Sequence, residues 1–496
     1  MPEGLRQKAI SGAKWRILAT YSERLIQGAG SVVLFWLLSK EDYGLMAAAM
    51  VVVSLIRGCT SLGMNYAIVQ RRDRVQEAID TGFVLLLGTA VLSAAVLAVV
   101  GPFTAAYKAD AVLLWTLGLL FFLRPLGIVT EGVFYRDFHF RRLFAVEFLS
   151  IAVGTGLGIA LALVLPKGKG YWALAASGLT REAIRSATGW LFAPVRPRLR
   201  FDVGMARELL HFNKYLWAAA IVMVLYSNVE RLALMELLPL GALGLYHFAS
   251  TWVSQVGTVS ETIFGSVAIS VYAKLQDDVP RLRVSFCRIV GYSALLSTGL
   301  LAGMAILAPE AVYLAFPTRW LPAVPTLQVL GLFYIVRAID TSTGQLYVAV
   351  GKPRYNLHLG AVNLVVMAAT VVPFILWQGV AGAAMSLLVA RLVTMACNAV
   401  VLGRVLRCPV RRFARIVVPP LKATAVMALV LYGGLVGAYH LLGGVGWLAL
   451  GGLVVAGGVA YAAALFAFER PLFRDMAGLV RDALRGEKVK ANELVP

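Results

Sequence analysis

One kind of segment dominates this chain: apolar stretches recur from near residue 14 to residue 468, with short connections between them. Most are roughly 20 residues long, the length at which a helix crosses the hydrocarbon of a bilayer. Lipid offers no partner to a backbone N–H or C=O, so only helices and closed barrels span it. A barrel would show short segments of alternating hydrophobicity, whereas these runs are long and continuous. The expected fold class is therefore an all-α polytopic membrane protein. Fourteen spans are expected, the first near 14–36, the seventh near 213–236, the tenth near 322–349 and the last two near 421–441 and 445–468.

The connections set the orientation. With the N-terminus cytoplasmic, 32 Lys and Arg fall on the inner side and 5 on the outer side. Positive residues are retained on the cytoplasmic face of bacterial membranes, so both termini are expected inside the inner membrane. The same pattern explains the net charge of +20, because the basic residues sit between apolar runs and form no soluble face for nucleic acid. Cys59, Cys287, Cys397 and Cys408 are scattered without metal-ligand spacing, so neither a zinc site nor a disulfide scaffold is expected. The basic opening leads into an apolar run interrupted at Glu23–Arg24, which points to a retained first helix and not a cleaved signal. The tail from residue 469 has apolar residues at helical spacing beside basic ones, as in a helix lying on an anionic membrane surface.

An internal echo organises the spans. The stretch LLSKEDYGLMAAAMVVVSLIRG from Leu37 is similar to ELLPLGALGLYHFASTWVSQVG from Glu236, with Gly44 over Gly244, Leu45 over Leu245 and Ser54 over Ser254. Both copies start inside, which implies a parallel repeat. The expected organisation is two pseudo-symmetric six-helix lobes, 1–200 and 201–410, then two additional helices over 411–468 and a cytoplasmic amphipathic tail over 469–496.

Charges inside the spans carry the chemistry. Ionisable side chains are expensive in hydrocarbon and face a cavity or a partner. Eight arginines (24, 57, 124, 181, 185, 231, 337 and 391) stand against six acids (Glu23, Glu147, Glu182, Glu230, Glu261 and Asp340). Arg337 with Asp340, and Arg181 with Glu182 or Glu147, are the pairs expected to lock helices together. Guanidinium in excess attracts anions and grips phosphate bidentately, so an anionic substrate such as a diphosphate or acidic sugar is expected. Tyr21, Gln27, Asn65, Tyr66, Tyr226, Trp252, Gln255, Gln345 and Tyr347 add surfaces for sugar rings, although Trp and Tyr also form interfacial belts. Glu23, Glu230, Glu261 and Asp340 are the acids able to bind Na+ or a proton. No nucleotide-binding loop, metal cluster or catalytic motif is present in the sequence, so no cofactor and no enzymatic activity are expected.

The opening KAISGAKWRILATYSERLIQ, the segment LLSKEDYGLMAAAMVVVSLIRGCTSLGMNYAIVQRRD and the connection GVFYRDFHFRRLFAVE resemble a known family. They are similar to the oligosaccharide flippases of the polysaccharide-synthesis branch of the multidrug/oligosaccharidyl-lipid/polysaccharide exporter superfamily, notably exopolysaccharide, colanic-acid-type and O-antigen translocases. The resemblance implies a monomeric protein that reorients an undecaprenyl-diphosphate-linked oligosaccharide to the periplasmic leaflet. It also implies membrane lipids, a polysaccharide polymerase and export machinery as partners. Cationic residues lining a cavity would bind the diphosphate, with Arg24 and Arg57 first, then Arg181, Arg337 and Arg391. The alternatives are a lipid-linked peptidoglycan precursor flippase and a multidrug or cation antiporter of the same superfamily. The arginine excess disfavours the antiporter.

Overall fold

The computed structural model describes residues 22–60, 73–105, 110–137, 139–193, 196–406, 410–470 and 478. All the regular structure described is helical, apart from turns. By contacts the chain forms two compact units, Met1–Gly244 and Leu245–Pro496.

The first unit contains α1 (22–37), α2 (Lys40–Thr60), α3 (Val75–Ala105), α4 (Ala111–Arg136), α5 (Phe140–Val164), α6 (Tyr171–Phe192), α7 (Val203–Tyr226) and α8 (Val229–Leu237). It also contains the first residues of α9 (Leu240–Lys274). The rest of α9 belongs to the second unit, with α10 (Val279–Ala315), a 3-10 turn at Thr318–Ala323, α11 (Val324–Ala349), α12 (Arg354–Gln378), α13 (Val380–Val405), α14 (Val410–Leu442) and α15 (Trp447–Phe468). Among the described residues, nine helices are long and apolar enough to cross a membrane: α3, α4, α5 and α10 to α15. Large apolar side chains cover their outer faces. Leu429, Leu376 and Val365 are 74%, 72% and 67% exposed, an arrangement that lipid stabilises and water would not. The remaining long helices carry more polar residues, including Arg57 on α2, Arg181, Glu182 and Arg185 on α6, and Glu261 on α9.

Small residues bring the helices of the first unit together. A Cβ on Gly30 of α1 would lie 2.2 Å from Thr155 Cγ2 of α5, and one on Gly154 of α5 would lie 2.9 Å from Arg181 Cβ of α6. Glycine at such seams allows backbones to approach without a side chain between them. On the other side of α6, Gly189 meets Thr130 of α4, and Ser186 Oγ donates to the Leu123 carbonyl at 2.7 Å, near Pro125 inside α4. An apolar core of Ala49, Val52 and Val53 of α2, Leu97 of α3 and Leu113, Leu117 and Phe121 of α4 holds the bundle beneath.

The seventh span differs from the sequence reading. Expected near 213–236, it is carried by α7, which starts at Val203, capped by Asp202, and runs unbroken into the apolar segment. The span then breaks at Ser227–Asn228, where Asn228 Oδ1 accepts from Ser54 Oγ of α2 at 3.2 Å and a new helix, α8, begins. The extended strap before α7 is pinned by a buried aspartate that the charge pattern did not single out. Asp80 of α3 is 3% exposed and accepts from Gln76 Nε2 at 2.7 Å and from the Arg198 backbone N–H at 2.8 Å.

The two segments aligned by the echo touch at their N-terminal ends. A Cβ on Gly44 would lie 1.9 Å from the Leu240 carbonyl oxygen, and one on Gly244 would lie 1.9 Å from that of Lys40. Both contacts are too close for any side chain.

In the second unit α10 is central, packing on α11, α14 and α15. Trp320 of the 3-10 turn is fully buried and stacks on Phe248 of α9 at 4.8 Å between ring centres. Tyr461 ties α15 to α10, with its hydroxyl donating to the Leu295 carbonyl at 2.6 Å and lying 2.9 Å from Thr298 Oγ1.

Candidate functional site: an arginine cluster in each unit

Most of the sequence-predicted intramembrane charges collect into two clusters, one per unit. In the first, α1, α2, α4, α5 and α6 bring together Glu23, Arg57, Arg124, Glu131, Glu147, Arg181, Glu182 and Arg185, and Arg24 follows Glu23 on α1. Arg181 pairs with Glu23, and Arg185 Nη2 donates to Glu131 at 2.9 Å. Arg124 lies 4.0 Å from Glu182. The charges acting on Arg57 include Arg124 and Glu182, so two guanidinium groups on α2 and α4 sit in the field of one carboxylate on α6. The glycine seams explain the pairing. Gly30 seats α1 against α5 and so carries Glu23 toward α6, while Gly154 seats the α6 backbone at Arg181 itself.

In the second unit the pairs are closed one to one. Arg337 of α11 forms a fork with Glu261 of α9, Nε to Oε1 at 2.8 Å and Nη2 to Oε2 at 3.1 Å. Thr341 Oγ1 adds a donor to Glu261 at 3.4 Å, and the guanidinium lies 5.2 Å from the centre of the Tyr334 ring. Gly257 permits this, because a Cβ there would be 2.3 Å from that ring. Arg391 of α13 pairs with Asp340 of α11 at 3.0 Å. Asp340 also accepts from Asn398 Nδ2, and Asn398 Oδ1 accepts from the Tyr347 hydroxyl at 2.5 Å. Tyr347 is fully buried and Asn398 nearly so. Arg391 Nε and Gln345 Oε1 are buried without hydrogen-bond partners among the described residues.

The salt bridges described run to other partners than those expected from the sequence. Arg337 takes Glu261 of α9, and Arg181 takes Glu23 of α1. Adjacent positions on a helix point about 100° apart, so Glu182 faces Arg124 while Arg181 faces α1. Asp340 is within reach of its own helix, but a partner from α13 holds it. Sequence reasoning missed Glu131 and Asn398. Glu131 lies seven residues beyond Arg124, on the same face of α4, and that spacing was the available signal. Asn398 carried no signal beyond being polar within an apolar span.

The other candidates scatter. Gln27 is exposed on α1, Tyr226 is the last residue of α7, and Glu230 is 5% exposed in the first turn of α8, 3.9 Å from Arg231. Trp252 packs on Phe316 at 5.5 Å between ring centres, a core contact. Tyr21, Asn65 and Tyr66 lie outside the described residues, as does almost all of the tail. Among the described residues no group of three His, Cys, Asp or Glu is placed to hold a metal ion.

Residues 33–325 match the family described as Polysaccharide biosynthesis protein. The chain is 25% identical over 357 residues to Lipopolysaccharide biosynthesis protein WzxC of Escherichia coli (strain K12), covering 70% of each chain. It is 22% identical over 356 residues to Teichuronic acid biosynthesis protein TuaB of Bacillus subtilis (strain 168), covering 70% of this chain and 72% of that one. Among solved structures, its fold is similar to that of Lipid II flippase MurJ in an inward closed conformation. The TM-score is 0.70 and the identity 13%, over 92% of this chain and 99% of that one. An inward-facing multidrug resistance MATE family transporter shares the fold at a TM-score of 0.62 and 16% identity, over 77% and 95%.

Proposed function

The chain belongs to the family of polysaccharide biosynthesis proteins, and from that premise we propose that it flips an undecaprenyl-diphosphate-linked oligosaccharide repeat unit. The movement runs by alternating access from the cytoplasmic to the periplasmic leaflet of a bacterial inner membrane, for exopolysaccharide, capsule or O-antigen assembly. Fourteen spans, with both termini cytoplasmic, belong to the same reading. Support comes from relatives named for lipopolysaccharide and teichuronic acid biosynthesis. The fold is that of transporters, among them a lipid flippase.

The observation that carries the substrate class is the setting of Arg57 and Arg124 in the first cluster, two guanidinium groups on α2 and α4 that share the field of Glu182 on α6. Like charges held near one another at membrane depth are stabilised by an anion, and a diphosphate offers oxygens at the spacing of the arginine fork. Arg57 and Arg124 are the residues proposed to receive it. Arg181, Arg337 and Arg391 position helices through their acids and enter the substrate path only if those pairs open. Arg24 remains a candidate for the diphosphate, and Gln27 and Tyr226 for contact with the sugars. Coupling to Na+ or H+ is part of the proposal. Glu23, Glu230, Glu261 and Asp340, each beside an arginine, are its candidates.

The test is translocation in proteoliposomes of a lipid-diphosphate-linked oligosaccharide extracted from the source organism. Arg57→Ala and Arg124→Ala should each slow it about tenfold or more, the loss of one charge-assisted contact. Unchanged rates in both variants would remove these residues from the path. A wild-type protein that moves a peptidoglycan precursor lipid and not the oligosaccharide lipid would replace the substrate.

A further inference from the structure

A cavity of about 610 Å³ lies in the second unit, lined by none of the clustered arginines. Its walls are the C-terminal end of α10, the 3-10 turn, the end of α14 and the loop 443–446 that joins α14 to α15. Sequence places its key residue. Pro309 inside α10 has no N–H for the Ala305 carbonyl, and Gln328 Nε2 of α11 supplies the missing donor at 3.1 Å. The next residue, Glu310, lines the cavity. Tyr313, three residues on and so on the same face, lines it too, with Tyr439 of α14 opposite.

The carboxylate of Glu310 is short of donors. Oε1 receives the Tyr439 hydroxyl at a long 3.4 Å, and Oε2 is shielded from water with no hydrogen-bond partner among the described residues. The loop opposite is nearly bare, because Gly443, Gly444 and Gly446 contribute no side chains and a Cβ on any of them would meet nothing within 4 Å. Gly443 and Gly444 have φ of 71° and 159°, a backbone path that favours glycine. The result is open space facing one under-satisfied carboxylate and two phenol rings, with Tyr313 62% and Tyr439 55% exposed.

These groups select the ligand. An anion is repelled by Glu310. A metal ion would find Glu310 alone among the lining residues as a His, Cys, Asp or Glu ligand, and no group of three such residues is placed to hold a metal among the described residues. An ammonium group brings both the charge and the N–H donors that the carboxylate lacks, and ring faces attract it further. We propose that this cavity binds a primary ammonium group. Trp447 and Leu448 begin α15 beside the glycine loop, with Trp447 63% and Leu448 94% exposed. Tryptophan at a span end marks the headgroup level, so the ammonium comes from an ethanolamine lipid headgroup or from a soluble organic amine at that surface. The site gives α14 and α15, which lie outside the internal repeat, a ligand of their own.

The test is native mass spectrometry of the purified full chain with phosphatidylethanolamine, phosphatidylcholine and phosphatidylglycerol, followed by titration with ethanolamine. The expected result is retention of phosphatidylethanolamine about tenfold above the other two lipids, or binding of ethanolamine itself. Either preference should be lost in Glu310→Gln and weakened in Tyr313→Ala. Retained lipid that ethanolamine does not displace assigns the site to the headgroup, and displacement or direct binding assigns it to soluble amines. Equal retention of the three lipids with no ethanolamine binding overturns the proposal. So does a preference that persists in Glu310→Gln, or, should that variant fail to fold, in Tyr313→Ala.

Discussion

Replacing Asp340 by leucine isolates the energetics of the second cluster. The wild-type pair has Asp340 at 9% and Arg391 at 20% side-chain exposure, separated by 3.0 Å. Leucine removes the carboxylate and leaves a guanidinium whose Nε already has no partner among the described residues. It also removes the acceptor of Asn398, itself 3% exposed. Uncompensated buried charge costs about 3–5 kcal/mol when one partner of a pair is deleted, and the residual exposure of Arg391 places the expectation near the lower figure, ~3 kcal/mol. The double variant Asp340→Leu/Arg391→Met removes both charges and should recover to within about 1–2 kcal/mol of wild type, since what remains is the unmet Asn398 donor. Unfolding followed by circular dichroism in mixed micelles of rising dodecyl sulfate fraction measures both. A single variant costing under about 1 kcal/mol, or a double variant no better than the single, would refute the buried-pair reasoning.

Three further outcomes follow from the geometry. Gly44→Ala and Gly244→Ala each place a methyl 1.9 Å from a backbone carbonyl and should lower stability by about 1–3 kcal/mol in the same assay, whereas Gly88→Ala, with nothing within 4 Å, should not. Asp80→Ala frees the strap before α7, so trypsin should cut after Arg198 or Arg200 several times faster than in wild type, as read by timed digestion and mass spectrometry. Tyr461→Phe deletes the hydroxyl shared by Thr298 and the Leu295 carbonyl and should cost about 1–2 kcal/mol on thermal unfolding in detergent, with α15 the first helix to gain hydrogen exchange.

The sequence by itself determined the class of fold, the membrane and the family texture. Each rests on information that is local along the chain: a run of apolar residues long enough to cross lipid, a basic connection, a short motif such as Asp42-Tyr43-Gly44. It also determined that arginines stand in hydrocarbon, and that this needs a partner or a ligand. It did not determine which partner. Arg181 has Glu182 next to it in the chain, yet pairs with Glu23, 158 residues away, because Gly30, Thr155 and Gly154 set the contacts of α1, α5 and α6. Arg337 and Asp340 sit at the spacing of an intrahelical pair, yet each reaches across to another helix. Asp80, Glu131 and Asn398 acquire their roles only from what packs against them. The same holds for Glu310, an unremarked acid near a span end until a proline bend, a glycine loop and two tyrosines from separate helices enclose it. Pairing between helices depends on rotation about each helix axis and on which backbones can come close. A one-dimensional pattern leaves both open, and packing between small residues decides them.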